Sequence, residues 1–176
     1  MLIGLLRHGV AHDAGAETEW RDELRQLTDE GRRRMQAAAS GIAQLDLGFA
    51  ALVTSPLTRC LQTAEIVGTA LTLTPRPDPR LRPGLHVGAL IDLVSEHSEA
   101  EALLVCGHQP DLSTVTADLV SGGWIEFKKG ALALVDLPVA REHAGHLVAL
   151  YPPSALRRLG WETDGRGPLR SEDRRE

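Results

Sequence analysis

The sequence predicts an α/β fold of three layers, α/β/α, around a mostly parallel central sheet that carries an antiparallel edge. Three observations lead there. A short apolar run, then a loop with polar and basic residues, then a helical pattern recurs three times, as consecutive βα units do. Two later apolar runs, 131–137 and 146–151, are separated only by a polar stretch containing Gly145 and read as an antiparallel pair. The chain has 176 residues, 43% apolar but only 3% aromatic, which suits one domain with a core of Leu, Val, Ile and Ala.

The first apolar run is 2–6, followed by Arg7-His8-Gly9. It is too short for a membrane span and reads as a buried strand, not a signal peptide. Thr28 is placed to cap a helix whose apolar face is Met35, Ala38, Ala39 and Ile42. The second run, 50–54, leads into Ser55-Pro56-Leu57-Thr58-Arg59. Leu57, Cys60, Leu61, Ala64, Val67 and Leu71 then recur at three- and four-residue steps, leaving Arg59 and Gln62 off the stripe. Residues 75–83 hold four prolines and read as a loop. Val87, Leu90, Ile91 and Val94 mark a third helix. The third run, 102–106, precedes Gly107-His108-Gln109-Pro110, and Leu112, Val115, Leu119 and Val120 mark a fourth helix with Pro110 at its start. Residues 1–160 are expected to form one domain, and 161–176 a charged, flexible tail.

Charge and cysteine content narrow the function classes. A net charge of −5 argues against nucleic-acid binding. Arg32-Arg33-Arg34 reads as a solvated helix face in preference to a docking patch. Cys60 and Cys106 both lie in apolar patterns, as reduced buried thiols do, so a cytoplasmic protein is expected, with no membrane association.

In an open α/β sheet, ligands gather beyond the carboxyl ends of the strands. All three motif loops lie at that end, delivering Arg7 and His8, Arg59, and His108. Two guanidinium groups and two imidazoles suit a dianion, most naturally a phosphoryl group. Neutral His8 is the candidate nucleophile, forming a covalent phosphohistidine. Arg7, Arg59 and His108 are the candidate clamps on the equatorial oxygens. Gly9 keeps a side chain away from the nucleophile, and Ser55 is a candidate hydrogen-bond donor whose stronger claim is as N-cap of the next helix. A metal shell of His8, His12, Asp13, His108 and Asp111 is the chemical rival, opposed by the flanking arginines. No metal or other cofactor is expected.

Leu6-Arg7-His8-Gly9, Leu27-Thr28-Asp29-Glu30-Gly31, Ser55 through Ala64, and Gly107-His108-Gln109-Pro110 together resemble the motifs of the histidine phosphatase (phosphoglycerate mutase-like) superfamily. Small size, Lys128-Lys129-Gly130-Ala131 and Pro152-Pro153-Ser154-Ala155-Leu156 resemble its SixA phosphohistidine phosphatase branch. The resemblance spans roughly residues 1 to 160. It implies a phosphoglycerate mutase-like fold, His8 as nucleophile, Arg7, Arg59 and His108 on the phosphoryl oxygens, and a substrate-side role for Arg25. Its implied partner is a phosphorylated protein, such as a histidine-phosphotransfer domain, or a small phosphorylated molecule; a monomer is expected.

One departure bears on substrate. Larger members carry a carboxylic acid that protonates the leaving oxygen, whereas the corresponding stretch here reads Pro79-Arg80-Leu81, and Gln109 follows His108 where the acid phosphatase branch has Asp. Arg80 cannot supply a proton near neutral pH. Asp13, Glu17 and Asp111 are the candidate replacement acids. A phosphorylated imidazole, with its weaker bond, needs less help to leave and is favoured as substrate. The alternatives are a small-molecule phosphomonoesterase, a phosphate-binding or sensing module without turnover, and a metal-dependent hydrolase.

Overall fold

The computed structural model describes residues 1–163. One six-stranded sheet organises them: β1 (Leu2–Arg7), β2 (Phe49–Thr54), β3 (Arg76–Pro77), β4 (Ala102–Gly107), β5 (Leu132–Asp136) and β6 (His146–Tyr151). Their order across the sheet is β3-β2-β4-β1-β5-β6. The first four are mutually parallel; β5 runs antiparallel to β1, and β6 antiparallel to β5 at the edge. The expected mixed architecture is therefore observed.

Strand alternation makes the three layers. On β1, Ile3 and Leu5 enter one core cluster and Leu6 the other; on β4, Leu103 and Val105 part in the same way from Leu104 and Cys106. Helices α3 (Val87–Glu96) and α4 (Asp111–Leu119) cover the first face. Helices α1 (Asp29–Gln44), α2 (Thr58–Leu71) and α5 (Pro153–Thr163) cover the second. Burial on both faces explains why β1 and β4 read as unbroken apolar runs and not as alternating ones.

Local signals acted as expected at several ends. Thr28 Oγ1 accepts from the N–H of Gly31 at 2.9 Å, capping α1. Pro110 stands at the N-cap of α4, where its missing N–H costs no helical bond; the Gln109–Pro110 peptide is cis. Within the proline-rich loop the chain forms the two-residue β3 and a 3-10 turn at Pro79–Leu81, capped by Asp78. Sequence periodicity cannot show a strand of two residues.

Helix α5 departs from the expected domain boundary, running through Gly160 to Thr163; residues 164–176 of the expected tail lie outside the described residues. Gly160 reads in sequence as the start of a polar tail, but it is the point where α5 crosses α1 at backbone contact. A Cβ on Gly160 would lie 1.9 Å from the carbonyl oxygen of Ala37, and one on Gly41 would lie 2.0 Å from that of Leu156. Alanine would gain about 1 kcal/mol of helix propensity at either site, against overpacking that costs about 1–3 kcal/mol and here strikes backbone that cannot step aside. The collision wins. Gly41→Ala is expected to lower the thermal midpoint by several degrees, measurable by circular dichroism.

Candidate active site

Three parallel strands end together and set the site. β1 and β4 are in register with Arg7 opposite Gly107, so His8 and His108 leave neighbouring strand ends side by side. Their ring centroids are 5.4 Å apart. β2 delivers Ser55, and α2, which follows it, carries Arg59 in its first turn. His8, Ser55, Arg59 and His108 are all buried. Arg59 is 5% exposed although it stands off the apolar stripe of α2, because that flank of the helix faces the strand ends and not solvent.

Hydrogen bonds settle the protonation pattern of the two rings. His8 Nδ1 lies 2.7 Å from the carbonyl oxygen of Gly9, an atom that can only accept, so Nδ1 carries the proton. The lone pair is left on Nε2, toward which Arg59 Nε donates at 3.3 Å. His108 is set the other way: Arg59 Nη2 donates to Nδ1 at 3.2 Å, and Nε2–H donates to Ser55 Oγ at 2.8 Å. Burial is the main force holding His8 uncharged; the Gly9 bond opposes it, the charges of His108, Arg59 and Arg7 add to it, and the pKa falls to about 3. Burial and then Arg59 lower that of His108 to about 4. Arg7 donates from Nη1 to the carbonyl oxygen of Phe127 at 2.5 Å, while its Nε is buried and donates to no acceptor among the described residues.

Supporting contacts assign duties that sequence did not show. Thr63, one turn after Arg59, accepts from the N–H of Gly9 at 3.1 Å and donates to the Arg59 carbonyl at 2.7 Å, tying the His8 loop to α2. The i to i+4 spacing of a hydroxyl behind a functional arginine was its only sequence signal. Gly9 matters differently from expectation: its carbonyl selects the His8 tautomer, and a Cβ would strike Met35 of α1 at 2.6 Å and not His8. Ser55 is not the N-cap of α2. That position is Leu57, without a side-chain cap, and the Ser55 hydroxyl is spent on His108 with a long bond from Leu57 N–H at 3.4 Å.

The remaining candidates lie outside the cluster. Arg25 donates to the carbonyl of His12 at 2.5 Å, to Asp22 at 2.9 Å and to Asp13 at 3.5 Å, reaching Arg59 only through Asp22. Asp22 was missed altogether. Its carboxylate takes Arg59 Nη2 at 2.9 Å, and nothing in a polar loop of mixed charge singles it out beforehand. Asp13 is fully exposed, and Asp111 accepts from the N–H groups of Gly84 and Leu85, bracing that loop. Glu17 lies on the 3-10 turn Ala16–Thr18, and its side chain is outside the described set. Arg80 is forked between Asp78 and Glu96. Among the described residues no three His, Cys, Asp or Glu side chains are grouped so as to hold a metal ion, and the shell His8, His12, Asp13, His108, Asp111 is not assembled. No helix among them is long and apolar enough to cross a membrane.

Comparison with known proteins agrees with this geometry. The model of the histidine phosphatase superfamily (branch 1) matches residues 3–90, and the chain belongs to that superfamily. The fold is of the SixA type: it superposes on the protein histidine phosphatase SixA complexed with tungstate with a TM-score of 0.79 at 26% identity, covering 89% of this chain and 99% of that one. The α-ribazole phosphatase of Shigella flexneri shares the fold at 18% identity and a TM-score of 0.67, over 87% of this chain and 97% of its own. An uncharacterized protein of Picosynechococcus sp. is 38% identical over 116 residues, 64% of this chain and 68% of the relative. The chain is thus a phosphatase of the histidine phosphatase superfamily.

The two depressed imidazoles make stability depend on pH with a definite sign. Both folded pKa values lie below the unfolded value near 6.5, so as pH falls the unfolded chain takes up protons that the folded chain refuses. Stability contributed by neutral burial is whole above about pH 6.5 and is lost progressively toward pH 3–4. Urea midpoints are expected to drop between pH 7 and pH 5, and the drop to be smaller in His8→Asn/His108→Asn.

Proposed function

We propose that the enzyme hydrolyses protein phosphohistidine through a covalent phospho-His8 intermediate, without a metal ion. The observation that carries the reading is the hydrogen bond from His8 Nδ1 to Gly9 O in a buried ring kept uncharged, which leaves the lone pair on Nε2 at neutral pH; in the resting site that lone pair accepts from Arg59 Nε, a donor that turns to the phosphoryl oxygens when substrate binds.

In the first step Nε2 attacks phosphorus in line, and the bond to the leaving nitrogen breaks with its electron pair. A phosphohistidine protonated on its other ring nitrogen departs as neutral imidazole and needs no acid. Arg59, through Nε and Nη2, and Arg7, through its otherwise unpaired Nε, meet the equatorial oxygens. The incoming dianion reverses the electrostatics at His108, whose Nδ1 takes up a proton and becomes a donor, with Ser55 fixing the ring from behind. In the second step water attacks phospho-His8: the P–O bond forms as the P–N bond breaks, and the water protons leave on inorganic phosphate. Because Nδ1 keeps its proton on Gly9 O, His8 leaves as neutral imidazole and again no acid is required. Asp13 and Asp111 touch neither imidazole, which supports a substrate with an easily displaced leaving group.

A small phosphomonoester is the second reading, favoured by the shared fold of the α-ribazole phosphatase. Turnover of a phosphorylated histidine-phosphotransfer domain, set beside nucleotides and sugar phosphates, decides between them. Phosphohistidine protein is expected to give the highest kcat/KM; a sugar phosphate or nucleotide surpassing it would overturn the assignment. Incubation with a phosphoryl donor followed by alkaline quench is expected to place label on His8, and chelators are expected to leave the rate unchanged. His8→Asn should lower kcat by about a thousandfold or more. Ser55→Ala, which frees the His108 ring while sparing the nucleophile, should lower kcat about tenfold with a smaller change in KM.

A further inference from the structure

The guanidinium of Arg59 has two hydrogen-bonding edges, and the fold uses them for different ends. Its side edge faces the imidazoles, with Nε on His8 and Nη2 on His108. Its end edge is taken by a single residue: Nη1 donates to the main-chain oxygen of Asp22 at 2.8 Å, and Nη2 to its Oδ2 at 2.9 Å. The other carboxylate oxygen, Oδ1, accepts from Arg25 Nη1 at 2.9 Å. Asp22 begins the 3-10 turn Asp22–Leu24, and its side chain is 53% exposed against 5% for Arg59. The carboxylate therefore stands where the buried cluster meets solvent.

We propose that Asp22 determines specificity by charge: it holds the end edge of Arg59 and rejects substrates that carry further negative charge beside the phosphoryl group. The proposal rests on the reading of this cluster as a phosphoryl site. A lone phosphoryl group needs only the side edge of Arg59, which Asp22 leaves to it. A second anionic group on the same molecule would turn to the end edge of Arg59 or to Arg25, and both are already satisfied by Asp22. It would also approach a carboxylate that stays ionised, because the hydrogen bonds and charges of Arg25 and Arg59 outweigh the upward push of partial burial. The substrate class so selected is a phosphoryl group on a neutral or cationic carrier, such as an imidazole on a polypeptide, over diphosphates and phosphorylated carboxylates.

The test needs no turnover. Affinities of the full chain for inorganic phosphate and for methylenebisphosphonate, which cannot be hydrolysed, are measured by calorimetry for wild type, Asp22→Asn and Asp22→Glu. Asp22→Asn is expected to shift the ratio of the two affinities about fivefold or more toward the bisphosphonate at low salt, the shift shrinking as salt screens an exposed charge. Asp22→Glu, which keeps the charge, is expected to restore the wild-type preference. A ratio unchanged in Asp22→Asn, even with both affinities lowered together, would overturn the proposal and leave the phosphatase reading intact. Failure of the wild type to bind either anion would overturn both.

Discussion

Everything at the strand ends depends on keeping one histidine uncharged while it is surrounded by cations. A buried imidazole near Arg7, Arg59 and a second imidazole cannot hold a proton on both nitrogens, and Gly9 O decides which nitrogen keeps the single one. Burial does most to depress the pKa of His8, and the guanidinium groups that add to it are those that would attract a phosphoryl dianion. The proposed nucleophile and anion site thus share one electrostatic arrangement. It is costly to the fold, since it buries positive charge with few acceptors, and the surrounding structure shows where that cost is offset: Phe127 O for Arg7, Asp22 for Arg59, and Ser55 for His108.

The sheet supplies the rigidity this requires. Parallel register between β1 and β4 sets His8 beside His108, and Thr63 ties the loop after β1 to the helix that carries Arg59. The proposed nucleophile and its proposed clamps therefore come from separate stretches of chain yet are fixed to one another through backbone atoms. Asp22 is the exception. It lies on the long β1–α1 connection and is 53% exposed where Arg59 is 5% exposed, so this contact is held by a loop at the surface and not by the sheet.

Much of this was legible in the sequence because the chemistry is concentrated at strand ends. Arg7, His8, Arg59 and His108 each follow an apolar run or open a helix, and the structure brings all four together. The antiparallel edge was legible from two apolar runs without a helix between them. Helix α5 was not, since Gly160 looks like a terminator until its contact with Ala37 is seen. Ser55 was misread for a related reason: a serine before a helix is most often a cap, and only the position of His108 shows that its hydroxyl is needed elsewhere. Asp22 lay beyond sequence reasoning because it sits in a polar loop of mixed charge, with no apolar run before it to mark a strand end.

The most direct test of the account is the tautomer of His8 in the resting enzyme, read from long-range proton–nitrogen correlations of the imidazole rings at neutral pH. A ring protonated on Nδ1 alone, with Nε2 carrying the lone pair, is the predicted result. A ring protonated on Nε2, or on both nitrogens, would contradict it, because Nε2 would then have no lone pair to present to phosphorus.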